Sequence, residues 1–331
     1  MRPEAVPSSL YRHPAWLAWK EGQGWRQLEA GLGFRLLLRD LGGLDSMAYG
    51  VAPRALLGKP GEGGRALEEL SLRASAALPA DCAFLRWDLM TEAWTDGEGG
   101  RLEPRLQELR MNASTRHRPF RKGAGEHTCV DTMLVALGGG EAAILARLDE
   151  GTRYSIRLAA RRGTEVERLG EAGLRGFQAL HEETARRQGF APRRPQAFER
   201  LFACARGLGL ELELYLARSE GEAAAAAIFA RNGGSAWYLF AASSAAHRGA
   251  AGPSAILYRA LVDCAAAGDR EMDLLGVAPP GSASHPLSAL SRFKSGFGGR
   301  RAARAGTWDY IIEPEAYARY AQAEGLGRLG A

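Results

Sequence analysis

Residues 210–244, LELELYLARSEGEAAAAAIFARNGGSAWYLFAASS, carry the clearest indication of the fold. Three apolar stretches are separated by SEGE at residues 219–222 and by NGGS at residues 232–235. Short Gly-containing turns between extended stretches are typical of antiparallel hairpins, so the segment predicts three consecutive strands. The alanines of residues 223–227 favour a helix by intrinsic propensity, and only the flanking turns argue for a strand there.

Outward from this segment, apolar periodicity and glycine or proline breaks predict further helices and strands. In the second half they predict helices at residues 152–163, 174–190, 195–209 and 256–269, and a strand at residues 271–277. In the first half they predict strands at 34–41, 82–89 and 129–137, helices at 64–78 and from 138, and a loop at 95–106 that enters a short helix. We therefore expect an α/β (α+β) protein of two similar halves, each a mixed, mostly antiparallel sheet backed by helices.

The composition excludes several classes of protein. The 331 residues are 46% hydrophobic, which is enough for two domains of ordinary size. No stretch of about 18 apolar residues lacks charge, and the start of the chain has no apolar signal-peptide core. The four cysteines form no CxxC pair and the six histidines no HExxH pattern, so we expect neither a metal site nor a disulfide framework. We expect a cytoplasmic protein without a cofactor.

The net charge of +5 permits an anionic partner such as tRNA or a nucleotide diphosphate, although an ordinary solvated surface also explains it.

Three segments in the second half resemble motifs of the Fem-type peptidyltransferase family (FemABX). TRYSIRLAARRGTEV at residues 152–166 is similar to a basic helix of that family, R-x-x-I-R-x-A-x-x-x-G. Residues 247–277, which end in MDLLGV, resemble a helix and strand that end in Y/M-D-x-x-G. LSRFKSGFGG at residues 290–299 resembles the F-K-x-x-F-G-G signature, which is the most specific of the three. HPAWLAWKEGQGW at residues 13–25 resembles an early W-A-x-x-K segment.

The resemblance implies two GNAT-like acyltransferase domains. We expect domain 1 at residues 1–149, domain 2 at residues 150–300, and a segment at residues 301–331 that returns to domain 1. Nothing between residues 166 and 209 is long enough for the coiled-coil arm of larger members, so the chain resembles the compact ones.

The resemblance also implies an enzyme that transfers an amino acid from aminoacyl-tRNA to the stem peptide of a peptidoglycan precursor. The acceptor is a UDP-linked muropeptide or lipid II, so peripheral membrane contact stays open, and we expect a monomer. Two departures leave the identity of the acceptor open: Tyr49-Gly-Val-Ala-Pro-Arg54 replaces Tyr-x-Pro-Arg-Gly-Pro, and Glu126-His127 replaces Gln-Pro.

Lys294 is the candidate catalytic residue. By resemblance it lies near the reacting ester and stabilises the oxyanion that forms when an amine attacks the carbonyl. A fixed ammonium suits that task, and aminolysis of an ester requires no covalent nucleophile or metal. The glycines that follow would let the backbone approach a ligand closely. The alternative is a surface lysine beside a Gly-rich turn.

Four further residues are candidates for substrate binding. By resemblance Lys20 and Arg194 bind the diphosphate of a nucleotide-linked acceptor across the cleft between the domains, with Arg193 as a competitor for the same role. Asp88, at the end of a predicted strand, and Tyr238 could bind the acceptor peptide or relay a proton. The alternatives are solvated charges for the basic residues, a cap or turn residue for Asp88 and an ordinary strand aromatic for Tyr238.

Arg153, Arg157 and Arg161 share one face of a predicted helix, because they are spaced i, i+4, i+8. That face could receive the acceptor stem of tRNA through phosphate contacts. A second basic cluster at residues 116–122 is predicted to lie in a loop.

Two other functions stay open. The first is an acyl-coenzyme A-dependent GNAT-type N-acyltransferase, because HRGAAGP at residues 247–253 weakly resembles the pyrophosphate loop of that class. The second is a non-catalytic nucleic-acid-binding relative, against which the intact FKSGFGG segment argues.

Overall fold

The computed structural model describes residues 9–43, 45–53, 63–92, 103–123 and 125–323, which divide into two compact units. The first unit comprises Met1–Trp19 and Asp131–Arg301, and the second comprises Lys20–Val130 and Ala302–Ala331. These units are groups of residues in mutual contact, and the domain boundaries expected from the sequence stay a prediction. The loop predicted at residues 95–102 and Arg54 lie outside the described residues.

The second unit contains a mostly antiparallel sheet. Its strands are β1 (Arg26–Glu29), β2 (Arg35–Gly42), β3 (Asp45–Ala52), β4 (Cys82–Glu92), β5 (Phe120–Lys122) and β12 (Arg300–Ile311), whose first two residues belong to the first unit. The order is β1-β2-β3-β4-β12, β5 also pairs with β12, and only β3 and β4 are parallel. Its helices are α2 (Gly63–Ser75), α3 (Pro104–Ala113) and α10 (Pro314–Ala323). Trp87, Trp308 and Phe120 are fully buried in its core.

A buried ion pair fixes the last strand of this unit. Arg86 of β4 donates two hydrogen bonds to Asp309 of β12, at 2.7 and 2.8 Å, and both side chains are almost completely buried. The Tyr317 and Tyr320 hydroxyls of α10 also contact the pair. Burial opposes the charge on Arg86, but the bonds to Asp309 outweigh burial and raise the pKa of the guanidinium.

The first unit contains a second sheet. Its strands are β6 (Asp131–Ala136), β7 (Glu165–Arg168), β8 (Glu211–Ser219), β9 (Glu222–Asn232), β10 (Ser235–Ser243) and β11 (Glu271–Gly276). They follow the order β6-β11-β10-β9-β8-β7 and are antiparallel except for β10 and β11. The helices are α1 (Pro14–Glu21), whose last two residues belong to the second unit, α4 (Gly140–Arg147), α5 (Glu150–Arg161), α6 (Leu174–Gln188), α7 (Pro195–Leu208), α8 (Gly252–Ala266) and α9 (Ser288–Ser295).

The three strands expected between residues 210 and 244 are confirmed as β8, β9 and β10. The alanine-rich stretch is a strand because helices cover both faces of the sheet at β9. Ala225 and Ala227 pack in the cluster with α8, whereas Ala226 and Ile228 pack in the cluster with α6 and α7. A Cβ on Gly252 of α8 would lie 3.0 Å from the Ala225 Cβ, so the small side chains permit a close approach of this helix.

The expected fold class, mixed α/β with mostly antiparallel sheets backed by helices, is confirmed. Two local expectations are wrong. Asp88 does not end a strand and is not a cap or turn residue, because β4 continues to Glu92. The basic cluster at residues 116–122 is not wholly a loop, because its last residues form β5 and pair with β12.

None of the helices in the described residues has the length and apolar character of a membrane span. The described residues between 166 and 209 include α6 and α7, of 15 and 14 residues, and no long helical arm.

Candidate active site

Lys294 is held inside the first unit, although it lies in a short helix. It occupies the last turn of α9 and is 4% exposed. Its Nζ donates a hydrogen bond to the carbonyl oxygen of Gly276, at the end of β11, over 2.8 Å. The alternative of a surface lysine is therefore wrong, since this ammonium is shielded from water and fixed by a backbone dipole.

The glycines after Lys294 pack closely against neighbouring parts of the first unit. A Cβ on Gly296 would lie 2.1 Å from the Thr152 Oγ1, and one on Gly298 would lie 2.3 Å from the Arg147 carbonyl oxygen. Gly298 also has a φ of +71°, a conformation that residues with a Cβ rarely adopt. These glycines let the turn after α9 pack tightly on the junction between α4 and α5, which fixes the helix that carries Lys294.

Asp88 is a fully buried carboxylate of β4 that accepts several hydrogen bonds. The Tyr49 hydroxyl donates to its Oδ2 over 3.0 Å, and the Thr307 hydroxyl donates to its Oδ1 over 2.6 Å. Burial raises the pKa of Asp88, while the bonds from Thr307, Thr128 and Tyr49 act in the opposite direction. Asp88 is therefore placed to orient Tyr49.

His127 lies next to Tyr49 and was not identified as a candidate from the sequence. Its ring contacts the Tyr49 ring at 4.7 Å and the Trp25 ring at 5.4 Å between centroids. Its Nε2 is buried and has no hydrogen-bond partner. Burial, followed by the charges of Arg86, Lys20 and Arg39, lowers the pKa of His127 to about 4.

The charge of Lys20 is one of those that lower the pKa of His127. The lysine is half-buried in α1. It belongs to the second unit and Arg194 to the first, and their shared diphosphate site stays a prediction.

Arg194 and Arg193 precede α7 and differ in their surroundings. Both are exposed, and Arg194 lies at the N-cap of α7. The Arg193 guanidinium lies over the rings of Trp19 and Phe240, at 5.5 and 5.7 Å, and its backbone N–H donates to the His181 Nε2 over 3.2 Å. Burial lowers the pKa of Arg193.

A pocket of about 560 Å³ opens in the first unit beside Arg193. Its lining residues are His181, Phe190, Ala191, Pro192, Arg193, Leu239, Phe240 and Ala241. Aromatic walls with one arginine at the edge suit a flat, polar ligand that carries negative charge. The sequence indicates Arg193 only as a competitor of Arg194, because stacking on residues distant in sequence leaves no local pattern.

Tyr238 belongs to the core of the first unit. Its ring stacks on Phe229 with centroids 5.0 Å apart, and it packs in the same cluster as α8. Burial raises the pKa of its hydroxyl. Its substrate role stays a prediction.

The three arginines of α5 are not equivalent. Arg153 donates to the Leu148 carbonyl oxygen over 2.6 Å. Arg157 and Arg161 are exposed, and the Arg161 guanidinium lies 5.5 Å from the Tyr154 ring centroid. Arg162 donates to the Gly249 carbonyl oxygen. Arg157 and Arg161 are accessible to a large anionic ligand, whereas the Arg153 side chain is bound to the Leu148 carbonyl oxygen.

Among the described residues no group of three or more His, Cys, Asp or Glu side chains could hold a metal ion.

Sequence comparison shows local similarity to known proteins. Residues 147–294 match the family described as an acetyltransferase (GNAT) domain. A lipid II:glycine glycyltransferase of Staphylococcus saprophyticus is 30% identical over 107 residues, which are 32% of this chain and 26% of that protein. The enzyme of the same name from Staphylococcus aureus is 30% identical over 115 residues, or 34% of this chain and 27% of that protein. The match thus spans about a quarter of the length of these curated relatives.

Structural similarity extends over almost the whole chain. The crystal structure of FemX superposes with a TM-score of 0.74, at 18% sequence identity, and covers 94% of both chains. The shared fold therefore includes both compact units.

Proposed function

We propose that this chain, a Fem-type protein by its fold and its local sequence similarity, is an aminoacyl-tRNA-dependent aminoacyltransferase. The reaction would form a peptide bond on the stem peptide of a peptidoglycan precursor and so build a bridge or branch. The names of the glycyltransferase relatives support a transferase that acts on such a precursor. Charged tRNA and UDP-linked precursors are cytoplasmic, so the proposal places the enzyme there, and we propose that it acts as a monomer.

The observation that carries the proposal is the fixed, buried ammonium of Lys294. An acceptor amine attacks the ester carbonyl of aminoacyl-tRNA, and a C–N bond forms while the carbonyl oxygen becomes an oxyanion. The C–O bond to the ribose then breaks, and the proton lost by the amine goes to the ribose oxygen. An ammonium held by Gly276 needs no reorganisation to oppose the oxyanion, and the exclusion of water strengthens that attraction.

We propose the pocket beside Arg193 as the binding site for the nucleotide of a UDP-linked acceptor. Phe190 and Phe240 offer faces for stacking, and Arg193 and Arg194 offer guanidinium groups to the phosphates at the start of α7. Lys20 would be a further phosphate ligand, Asp88 would act on the acceptor peptide through Tyr49, and Tyr238 would bind the acceptor peptide or relay a proton. Lipid II also carries a diphosphate, so the same basic side chains could bind a membrane-embedded acceptor, with the protein in peripheral contact with the membrane.

The exposed face of α5 is proposed to receive the tRNA. Replacing both Arg157 and Arg161 by alanine should weaken binding of charged tRNA and reduce its dependence on salt, because two phosphate contacts would be lost. Arg175→Ala, an exposed arginine of α6, is the control. Equal tRNA affinity in the double variant and the control would refute this docking face.

The test of the whole proposal is transfer from charged tRNA to a UDP-linked muropeptide, read by mass spectrometry in single turnover. Lys294→Met should slow transfer by about 100- to 1000-fold, the usual cost of losing one preorganised oxyanion partner. Acceptor affinity should change much less, because Lys294 acts mainly on the transition state. Lys122→Met is a matched control, since Lys122 is a half-buried lysine that also donates to a backbone carbonyl, that of Ala305.

Transfer by Lys294→Met at the rate of the unaltered protein would rule out the catalytic role of Lys294. Equal losses of rate and acceptor affinity would make Lys294 a substrate anchor instead.

The match to an acetyltransferase domain keeps a second function in view, N-acylation from acyl-coenzyme A. The segment that resembles a pyrophosphate loop is packed against protein, because a Cβ on Gly249 would lie 2.2 Å from the Arg162 Nη1 and the Thr164 hydroxyl donates to the Ala250 carbonyl. Calorimetric titration with acetyl-coenzyme A distinguishes the two functions: tight binding would favour N-acylation, and no binding is expected for the tRNA-dependent reaction.

A further inference from the structure

Strand β11 contains one extra residue just before Gly276, whose carbonyl oxygen accepts the hydrogen bond from Lys294. From Asp273 to Gly276 the strand advances three positions, while its partner β6 advances two, from Leu134 to Thr132. This two-against-one pairing is a β-bulge, a feature that often re-aims groups beside functional sites. Leu275 in the bulge has a φ of +60°, which a bulky residue keeps only when its surroundings hold it there.

The carboxylate of Asp273 holds the bulge from its inner side. Its Oδ1 accepts a hydrogen bond from the backbone N–H of Leu275 over 2.8 Å and another from the Thr132 hydroxyl. Asp273 is 5% exposed and Thr132 is fully buried, so both bonds are protected from water. A charged acceptor on the N–H of Leu275 directly offsets the cost of its left-handed backbone.

Gly276, the residue that follows the bulge, binds Lys294. The Gly276 carbonyl accepts from Lys294, and two residues later the Ala278 N–H donates to the Ser291 Oγ of α9 over 2.7 Å. Helix α9 is therefore attached at two points to the segment that the bulge directs. A different φ at Leu275 would rotate the Gly276 carbonyl and break its hydrogen bond with the Lys294 ammonium.

We propose that Asp273 is a positioning residue for the transfer reaction: it holds Leu275 in the left-handed conformation that aims the Gly276 carbonyl at the Lys294 ammonium. The proposal rests on the proposed function for its catalytic consequence. The competing explanation is that Asp273 only stabilises the sheet of the first unit, in which case its loss would lower stability without moving Lys294.

A double-mutant cycle separates these two explanations. Asp273→Ala should lower the single-turnover rate between about tenfold and about 100-fold, the range expected when a catalytic group is misplaced. The acceptor KM should stay within about twofold. Adding Leu275→Gly should recover part of the rate, because glycine adopts a positive φ without the cost that Asp273 offsets. Asp273→Asn keeps an acceptor oxygen for the Leu275 N–H and should lose less than Asp273→Ala.

A second measurement follows Lys294 without reference to activity. The chain has only four lysines, so labelling with ¹³Cε-lysine gives four signals, and Lys294→Met assigns one of them. Asp273→Ala should shift the Lys294 signal, and Leu275→Gly in the same chain should bring it part of the way back. Asp269→Ala is the control, because Asp269 is a buried carboxylate that pairs with Arg231 elsewhere in this unit.

An unshifted Lys294 signal in Asp273→Ala, or the absence of any recovery with Leu275→Gly, overturns the proposal. If Asp273→Ala does not fold, Thr132→Val removes one bond to the same carboxylate and is judged by the same Lys294 signal. If the unaltered protein transfers no amino acid, the proposed function fails, while the lysine signals still decide whether Asp273 positions Lys294.

Discussion

The imidazole of His127 shows how one residue can report on the charges around it. It packs between Tyr49 and Trp25 with a buried Nε2 that makes no hydrogen bond, and Lys20, Arg39 and Arg86 all act against its protonation. The same cations that keep this ring neutral would attract an acceptor anion. A neutral ring in a cationic setting is a weak base, so we do not assign proton removal from the acceptor amine to His127.

His127 should make the protein sensitive to acid in a defined interval. Its pKa is about 4 when folded and about 6.5 when unfolded, so between these values the unfolded chain binds more protons and stability falls as the pH falls. The full shift corresponds to about 3 kcal/mol, and partial solvent access reduces it. Urea unfolding at a series of pH values should show a smaller loss between pH 6.5 and 4 for His127→Gln than for the unaltered protein.

His117→Gln, at an exposed position, controls for the removal of an imidazole. Parallel stability curves for His127→Gln and the unaltered protein would contradict the prediction. The ring signal of His127 in an NMR titration gives the pKa directly.

At the residue scale, the sequence could indicate Lys294 and the motif that contains Asp273 and Gly276, but not the contacts that join them. Lys294 stands in a contiguous motif, FKSGFGG, whose spacing is visible in one dimension. Asp273 meets Thr132 across 141 positions, and Arg193 meets Trp19 and Phe240 through tertiary packing. Such partners come together only when the sheet forms, so neither composition nor periodicity can reveal them.

The turn that follows α9 is the element that gives Lys294 its place. Gly298→Ala should destabilise the protein, because a methyl group would clash with the Arg147 carbonyl and glycine's φ of +71° would be strained. We expect a loss of more than about 2 kcal/mol in urea unfolding, together with slower transfer. Gly207→Ala is the matched control within α7, where nothing lies within 4 Å of the new Cβ, and it should stabilise by about 0.5–1 kcal/mol.

Equal effects of the two alanine substitutions would show that the turn after α9 tolerates a side chain and does not fix the helix.

Elements with strong periodicity or clear turns were predictable from the sequence, and those defined by tertiary contacts were not. The hairpins of β8, β9 and β10 follow from their Gly-containing turns, even though propensity alone would make the alanines of β9 helical. Strand β7 has four residues and β5 has three, too few for an alternating pattern to stand out. The strand predicted at residues 82–89 ends three residues before β4 does, and the buried hydrogen bonds that Asp88 accepts from Tyr49 and Thr307 are not visible in the sequence.

At the scale of the whole molecule, the ion pair of Arg86 with Asp309 joins residues 223 positions apart in the chain. Asp309→Asn should cost about 3–5 kcal/mol in urea unfolding, because it leaves a buried guanidinium without its charged partner. Asp45→Asn is the matched control: Asp45 also pairs with an arginine of α10, Arg319, but at the surface, and its loss should cost less than about 1 kcal/mol.

The double variant Arg86→Leu with Asp309→Leu should regain much of the stability lost by Asp309→Asn, since no buried charge remains. If Asp309→Asn lowers the free energy of unfolding by as little as Asp45→Asn does, the buried pair is not a major support of the second unit.

The two segments of the second unit flank residues 131–301 of the first unit in the sequence, and this has a consequence for biosynthesis. The ribosome completes β4 at residue 92, but β12, which pairs with it, begins only at residue 300. At about 5–20 residues per second, the edge of β4 waits on the order of 10–40 s for that strand, with Arg86 still unpaired. Unpaired strand edges attract other strands, so the nascent chain is most open to aggregation and chaperone binding in this interval. The first unit can fold on the emerging chain, whereas the second can close only after β12 has been synthesised.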